Sequence, residues 1–325
     1  MATGRSTTTQ VTDAVSAYLS TPLLVRAYPH FVHTLWGQIR PLPRNNSTTI
    51  KFRRYTSLSA ATTALTEGVT PDAQQLAITD VSATVLQYGA YVEVTDYLDM
   101  TTLDPLKTEI AELLGDNMGD TLDQITRDVI IAGDTVQYAS TATSRATVAA
   151  GMILTGDEIR EAVRTMQGNN AKVITEMVNP SDGFNTSPVM PAFIGIISHN
   201  TYFDLKKDPD WTPVAEYADP ASRLGPYEVG KIDEVRFVLA GSNAKVFSAA
   251  GAGSINVHGT LIVGREYYAL TQISGESVQV ITKPLGSAGT SDPLNQRQTM
   301  GWKATFIAKR LNENFAVRIE HAVSS

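Results

Sequence analysis

Cysteine is absent from this chain of 325 residues, and that absence removes several kinds of chemistry. Without thiols there is no disulfide, no cysteine nucleophile and no cysteine-bearing zinc or iron–sulfur site. Long apolar runs are also absent, since no stretch approaches the ~18 residues that span a bilayer. Residues 1–9 are mostly polar, so they lack the apolar core of a secretory signal. The sequence therefore predicts a protein without membrane contact.

Charged residues are scarce as well, at 18% of the chain, against about 25% in a typical globular protein. The apolar fraction is 42% and the formal net charge is −7, so the composition is not that of a disordered protein. The length suffices for a substantial core in roughly one to three domains. Because interface cores are depleted in charge, the shortfall favours a subunit that assembles with others. A threonine- and serine-rich soluble protein fits the same numbers.

The first 46 residues are predicted to form an extended arm. Pro22, Pro29, Pro41 and Pro43 exclude a long helix and a central strand there. Through residue 54 the chain carries seven basic residues and one acid, a net charge of +6, which leaves −13 for the remainder. Two interpretations stay open. We favour an arm that lies against an acidic surface of the same or a neighbouring chain; the alternative is loose contact with phosphate.

Two alternating stretches predict a long β ribbon. Residues 49–53 alternate polar and apolar side chains, and residues 78–94 do so over a longer span. The stretch between them is uncharged from 56 to 66 and continues into a turn cluster, Glu67–Pro71. Strands of about ten residues would reach roughly 33 Å, and a two-stranded ribbon of that length is marginal alone in water. The ribbon is therefore expected to lie on a partner.

One long helix is predicted over residues 103–132. Apolar residues recur there at steps of mostly three and four, from Leu103 through Leu113 to Val129. Asp104-Pro105 is a start pattern and Gly133 a stop pattern. The opposite face is expected to be acidic, with Glu109, Glu112, Asp116, Asp120, Asp123 and Asp128. This face is the favoured surface for the basic arm.

The rest of the chain mixes helix and strand patterns. A capping box at Thr155–Glu158 begins a second helix that ends at Gly168, and a short helix is expected over Thr201–Lys207. The predicted strands are 171–177, 193–198, 235–240, 260–264, 278–283, 299–311 and 316–321. Helices and strands together predict an α+β fold.

The glycine-rich segments are weak candidates for a phosphate or cofactor site. Residues 225–231 have the spacing of a phosphate-binding loop, but Ile232 stands where a Ser or Thr must ligate magnesium. Pro226 removes an amide from that loop and Glu228 adds a repelling charge. Gly251–Asn256 lacks the third glycine of a dinucleotide fingerprint. We interpret both segments as turns and expect no cofactor.

The histidines give no strong catalytic or metal pattern. His30 and His33 are three residues apart and have no carboxylate near them in the sequence. His199 follows a predicted buried strand, where a catalytic base is one interpretation and a hydrogen-bonded loop position is the default. His258 and His321 have no informative context.

An acidic group offers a weak cation-site pattern. Its members are Glu93, Asp96, Asp99 and Asp104. Their spacing lacks the alternate ligands and the central glycine of a calcium-binding loop. We therefore interpret them as a solvated or partner-facing surface and expect no metal.

The order of these elements resembles a known family. An arm, a long two-stranded loop, a long acidic helix, a mixed region and C-terminal strands follow one another as in the tailed-phage major capsid fold of the Hong Kong 97 type. Local segments resemble the major capsid family named after coliphage N4. These segments are 51–55, 65–71, 86–92 and 301–304. The resemblance covers nearly the whole chain, and the joint order of the segments carries it.

The resemblance implies a shell subunit with five parts. They are an N-terminal arm (1–46), an extended loop (47–96), a peripheral domain (97–150) with a spine helix (103–132), an axial domain (151–272) and return strands of the peripheral domain (273–325). Such subunits form hexamers and pentamers of an icosahedral shell around double-stranded DNA, assembled in the host cytoplasm, and touch the DNA without sequence preference. The resemblance also implies decoration, portal and scaffolding proteins as further partners. It implies no catalytic site in this chain.

The residues expected at contacts between copies lie on the arm, the extended loop and the spine helix. They are Arg40, Arg44, Lys51, Arg53, Arg54, Glu67, Pro71, Glu109, Glu112, Asp116 and Asp120. The archetype of the fold cross-links covalently through a lysine near its loop tip. Residues 56–80 contain no lysine here, so that chemistry is not expected at this tip.

Two other functions stay open on the sequence alone. One is a soluble α/β enzyme with His199 or the loop 225–231 in a nucleotide or small-molecule site. The other is a cellular nanocompartment shell of the same fold, which encloses enzymes instead of DNA. A stable monomer that binds nucleotide would favour the enzyme, and megadalton particles would favour a shell.

Overall fold

A computed structural model describes residues 23, 26, 31–45, 47–55, 58–65, 67, 68, 70, 72–102, 106–174, 191–217, 227–274 and 278–324. In the first half of the chain the elements are β1 (Gln38–Ile39), β2 (Thr49–Tyr55), β3 (Ile78–Thr84), β4 (Leu86–Thr95), α1 (Asp96–Thr101), α2 (Leu106–Ile131), β5 (Val136–Tyr138) and α3 (Gly156–Gly168). In the second half they are β6 (Phe193–Ile197), α4 (His199–Leu205), β7 (Thr212–Pro213), β8 (Glu228–Ile232), β9 (Val235–Leu239), β10 (Lys245–Phe247), β11 (Val257–Val263), β12 (Tyr268–Thr271), β13 (Val278–Lys283), β14 (Arg297–Arg310) and β15 (Ala316–His321). The α+β class is confirmed.

Within the described residues the strands form two larger sheets and one ribbon. The five-stranded sheet has the order β1–β12–β14–β13, with β4 paired along the other side of β14. The eight-stranded sheet has the order β5–β15–β11–β6–β9–β8–β7, with β10 beside β11. The ribbon is the antiparallel pair β2–β3, in register from Thr49 opposite Thr84 to Tyr55 opposite Ile78.

Strand β6 is covered on both faces. All five of its residues are buried. Ile194 and Ile196 belong to the core cluster of α2, whereas Phe193 and Ile197 belong to the cluster of α3. A strand buried on both faces is a continuous apolar run without polar alternation. The two helices α2 and α3 therefore pack on opposite faces of the eight-stranded sheet.

Helix α2 also covers the five-stranded sheet. Leu114 and Met118 share a core cluster with Met300 and Trp302 of β14. The Trp302 indole N–H donates to the Asn117 side chain at 3.0 Å. Helix α2 thus packs against both sheets. A long helix is needed to cover both.

The buried face of α2 is rotated relative to the predicted stripe. Leu113 is 62% exposed, so its placement in the buried stripe is wrong. Gly115 and Gly119 are buried instead, and a Cβ at Gly115 would overlap the carbonyl oxygen of Leu23. The chain at Leu23 passes so close to the helix that only glycine fits. The predicted start, residues 103–105, lies outside the described residues, and the helix ends two residues before Gly133 as predicted.

The predicted ribbon is shorter than expected, because the alternation over 78–94 belongs to two strands. β3 pairs with β2, and β4 pairs with β14 through ten residues. Between them Val85 is buried and its N–H donates to the Thr48 carbonyl at 2.8 Å. The chain therefore leaves the ribbon at Val85 and enters the five-stranded sheet. At about 3.3 Å per residue, the paired part of the ribbon spans about 23 Å.

Three further expectations differ from the structure. Residues 31–45 are part of the body and not of an extended arm, since Val32, Trp36 and Leu42 are buried and β1 pairs with β12.

The predicted strand over residues 171–177 is not formed in its described part. Only Ile174 forms a bridge there, because the neighbouring residues pack against the α3 cluster. The resemblance groups residues 273–325 as return strands of one domain, but β13 and β14 lie in the five-stranded sheet, whereas the last strand, β15, lies in the eight-stranded sheet between β5 and β11. Its apolar residues complete the core under α3.

Candidate functional site

The loop that joins β2 to β3 is exposed along its length. Every described residue from 58 to 80 is exposed, including Leu58, Leu65 and Leu76, and Leu65 reaches 78%. The base of the ribbon is anchored, because Phe52 and Ala83 pack with Ala269 of β12. The ribbon therefore has a fixed base and an exposed apolar tip, whose leucines belong to none of the core clusters of the described residues.

The outward face of the five-stranded sheet carries a shallow apolar depression of about 390 Å³. Gly301 of β14 lies opposite Tyr91 of β4, and Lys303 lies opposite Gly89. A Cβ at Gly89 would lie 2.6 Å from the Trp302 carbonyl oxygen, and one at Gly301 would lie 2.7 Å from the Ala90 carbonyl oxygen. Glycines therefore leave the floor as bare backbone. Tyr91, 71% exposed, stands at the rim.

Part of the acidic face of α2 is occupied within the chain. The Arg26 guanidinium lies 3.2 Å from Asp116 and 3.4 Å from Glu112. Asp120 accepts a hydrogen bond from the Asn243 amide at 3.2 Å. Glu109 is exposed at the start of the helix. Arg26 of the arm thus pairs with the acidic helix of its own chain, which is one of the two arrangements, same chain or neighbouring chain, that the favoured interpretation of the arm allows.

Asp123 was expected on the exposed acidic face, and that placement is wrong because it is fully buried. One carboxyl oxygen accepts the backbone N–H groups of Val32 at 2.9 Å and His33 at 2.7 Å, and the other lies 2.7 Å from the His33 ring nitrogen Nδ1. His33 thus has a carboxyl partner 90 residues away in sequence. The sequence does contain a pattern that predicts the burial of Asp123. Gly115, Gly119 and Asp123 are spaced by four residues, so they lie on one face of the helix, and the two glycines on that face indicate close packing.

Three of the predicted basic residues meet in one groove of about 520 Å³. Arg40, Arg53 and Arg54 line it together with Lys172, which sequence reasoning missed. Arg53 is paired with Asp80 across the ribbon at 3.1 Å, and the hydrogen bond to Asp80 raises the pKa of the Arg53 guanidinium. Arg54 and Lys172 are exposed and form no ion pair within the described part of the chain.

The remaining predicted contact residues are not gathered into one surface. Arg44, Lys51 and Glu67 are exposed at separate places on the arm, the ribbon and the loop. Pro71 lies outside the described residues. The acidic members on α2 and the basic members in the groove therefore form two distinct surfaces.

Two histidines that sequence context left unassigned form a buried pair. His258 of β11 lies opposite His321 of β15, with ring centres 6.2 Å apart. Burial lowers the pKa of His258, and it lowers the pKa of His321 to about 4. The Ser198 hydroxyl lies 3.1 Å from His258 Nδ1 and also accepts the Thr201 N–H as the N-cap of α4. These groups lie inside the core, whereas His199 is exposed at the start of α4.

The glycine-rich segments serve packing and turns, as predicted. The described part of the phosphate-loop candidate is strand β8, where Gly230 packs directly against the Trp211 ring. Residues 225 and 226 lie outside the described residues. Gly253 adopts φ 71° in a tight turn, a backbone conformation that glycine tolerates best.

Among the residues that the structure describes, no three His, Asp or Glu side chains are grouped to hold a metal ion. Asp99 is paired with Lys107 at 3.3 Å and Glu93 with Arg297 at 3.5 Å. Asp104 lies outside the described residues. No helix of the described ranges is both long and apolar enough to cross a membrane.

Comparison with known proteins gives one consistent result. The sequence profile of the family "Phage capsid protein" matches residues 78–319. The structure is similar to the capsid of Ralstonia phage GP4 (TM-score 0.70, 15% identity, 88% of this chain and 87% of that chain). It is also similar to the capsid of Cyanophage Pam1 (0.63, 17%, 92% and 92%) and to the head of Helicobacter pylori bacteriophage KHP40 (0.60, 13%, 89% and 88%). No curated protein matches the sequence. At these identities the structural likeness concerns the fold.

Proposed function

The chain belongs to the phage capsid protein family, and from that premise we propose how it builds a shell. It is a major capsid protein with the Hong Kong 97 type of fold, a structural subunit of the virion that assembles with copies of itself. The ribbon β2–β3 of one copy lies across the outward face of the five-stranded sheet of the next. Its backbone pairs with that neighbour, and its apolar tip is covered there.

The single observation that carries this proposal is the ribbon itself. Its tip exposes Leu58, Leu65 and Leu76, and none of the three belongs to a core cluster of the described residues. An isolated two-stranded ribbon is marginal in water, and covering an exposed leucine recovers about 1.5–3 kcal/mol. A second copy is the partner always present in a shell.

The depression over Gly89 and Gly301 is the surface that best fits such a ribbon. Its floor is bare backbone, so another chain can approach closely, and Tyr91 and Ile281 supply apolar walls. The spine helix α2 packs on the other face of the same sheet. The ribbon would thus lie over the neighbour's spine helix with the sheet between them.

We extend the proposal to the particle. The copies form hexamers and pentamers of an icosahedral shell around double-stranded DNA, assembled in the host cytoplasm, with an axial domain built on the eight-stranded sheet. Basic residues of the arm touch DNA without sequence preference. Scaffolding, portal and decoration proteins are separate partners, and the subunit itself has no enzymatic role. The coliphage N4 type is proposed on the quoted sequence segments.

Deleting residues 57–75 tests the proposal. The truncated chain keeps β2, β3 and both sheets, so we expect a folded subunit with an unchanged thermal midpoint. We also expect it to form no shells, whereas the full chain forms megadalton particles. Light scattering after size exclusion measures the mass, and electron microscopy shows the particles.

A length-matched control replaces residues 57–75 with glycine and serine. It keeps the length of the loop but removes Leu58 and Leu65, the two tip leucines that the deletion also removes, so it should behave like the deletion. Normal shells from the deletion variant would contradict the role given to the ribbon. A full-length chain that stays a monomer of about 35 kDa would contradict the shell function itself.

A further inference from the structure

Helix α1 is a short helix without a core of its own. None of its residues is buried, and Tyr97 and Met100 are each 73% exposed. Asp99 is paired with Lys107 at 3.3 Å, whereas the Asp96 carboxyl group accepts one hydrogen bond within the described residues, from the Tyr97 N–H at 2.8 Å. The helix therefore presents two large apolar side chains beside a carboxyl group that has no ion pair with any described residue.

The basic groove has the opposite character. Its floor is apolar, with Phe52 buried and Leu311 and Phe315 partly buried. Its rim carries Arg54 and Lys172, which have no ion pair among the described residues. A segment with apolar and acidic side chains would complement this groove, since its apolar side chains can cover the floor and its carboxyl groups can face the cations of the rim.

The two surfaces lie at opposite ends of strand β14. Helix α1 lies beside the first end, where the Asp96 N–H donates to Gln296 at 3.0 Å, and the groove lies beyond Arg310. Fourteen residues separate these ends, or about 45 Å at 3.3 Å per residue. One chain cannot fill its own groove with its own helix, so a contact between these two surfaces would have to join two copies.

We infer that the groove of one copy binds helix α1 of a second copy, with Tyr97 and Met100 on the apolar floor and Asp96 facing Arg54 and Lys172. This inference rests on the proposed function, since it supplies a second contact in the shell. The contact is head-to-tail, because it joins two different surfaces. Such contacts close into rings when the rotation between copies allows it, which is the geometry that hexamers and pentamers need.

A basic groove could also bind a nucleic acid, but this groove fits a nucleic acid less well than it fits helix α1. Glu266 lies in the lining, and helix α3 ends beside it at Gly168–Asn169. The C-terminal end of a helix carries partial negative charge, so a polyphosphate, with a charge on every nucleotide, meets more repulsion from both than the single carboxyl group of Asp96 does. A phosphate backbone also gains nothing from the apolar floor.

Charge reversal tests the inference. Arg54→Glu and Asp96→Arg should each weaken assembly about tenfold, measured as the fraction of chain in particles at a fixed concentration. The two changes together restore opposite charges across the contact, so assembly should recover. Arg164→Glu, at an exposed residue of α3 outside the groove, changes the net charge by the same amount as Arg54→Glu and should have no effect.

Cross-linking gives an independent measure, because the chain contains no cysteine. Thr101→Cys on α1 and Asn169→Cys at the groove are both exposed. A short bifunctional thiol reagent should convert particles of the double variant into a ladder of multimers on a denaturing gel. The pair Thr101→Cys and Asn200→Cys, with the second residue on α4, should give no ladder.

The outcomes distinguish the contact between α1 and the groove from the shell function itself. Normal particles from both charge reversals, with no ladder, overturn the inference and leave the shell function intact. Normal particles that hold less nucleic acid also overturn it, because the groove then binds phosphate. A wild-type chain that forms no particles contradicts the proposed function and the inference together.

Discussion

The buried carboxyl group of Asp123 gives a direct test of how the arm is held on the spine helix. Asp123→Ala removes an acceptor shared by the N–H groups of Val32 and His33 and by the His33 ring. Each buried donor left without a partner costs about 1–3 kcal/mol. Three donors lose their acceptor, so we expect the free energy of unfolding to fall by about 3 kcal/mol or more.

Urea denaturation at fixed protein concentration measures this change, because assembly itself adds apparent stability. Glu109→Ala is the matched control, an exposed acid on the same helix, and it should stay within about 0.5 kcal/mol of the wild type. Asp123→Asn keeps one acceptor oxygen and should fall between the two. If Asp123→Ala unfolds within about 0.5 kcal/mol of the wild type, the buried network does not hold the arm.

Three further predictions concern packing, charge and pH. Gly115→Ala forces a methyl group against the backbone of Leu23, so limited proteolysis should cleave the arm faster, while Gly168→Ala, with open space around it, should not change the rate. Glu320 is fully buried between two arginines, so Glu320→Gln should lower the free energy of unfolding by about 3 kcal/mol in urea; an unchanged urea midpoint would contradict this. Burial lowers the pKa of His321 from 6.5 to about 4, so the unfolded chain takes up that proton first as the pH falls. The stability that His321 contributes is therefore fully present above pH 6.5 and is lost towards pH 4, by about 3 kcal/mol in total. His321→Gln should remove that part of the pH dependence, and an unchanged slope of unfolding free energy against pH would refute the assignment.

Local patterns predicted the elements well where one rule decides them. The spine helix, the capped helix α3 and the strand 316–321 follow from spacing and capping, which act within a few residues of the chain. The acid Asp123 could not be placed in this way. An amphipathic pattern assigns acids to solvent, and its partners Val32 and His33 lie about 90 residues away.

The partner of a strand is also invisible to periodicity. Residues 78–94 alternate as one strand would, yet the chain changes sheets at Val85. Period two indicates an extended strand with two faces, but it does not say which strand lies beside it. The groove was missed for the same reason, since Arg54 and Lys172 are brought together only by the tertiary fold.

The end of the spine helix holds the two sheets that carry the proposed contact surfaces in a fixed arrangement. Three side chains donate to its last carbonyl groups, between Val129 and Gly133: Tyr267 before β12, Arg310 at the end of β14 and Arg318 in β15. Two guanidinium groups thus meet the negative end of the helix dipole and satisfy its free carbonyls. Because β14 and β15 belong to different sheets, the same helix end ties both sheets together.

A rigid body changes what weak contacts can achieve. The ribbon and helix α1 expose apolar side chains outside the core, and each contact alone would be modest. When the body that carries them is preorganised, little further entropy is lost as a copy joins. In a closed shell each subunit is then held by several contacts at once, and their effects multiply. Loosening the helix end, for example by Arg318→Ala, should therefore weaken assembly even though Arg318 lies in neither contact surface; an assembly concentration equal to that of the wild type, measured by light scattering, would show that rigidity at this joint is not required.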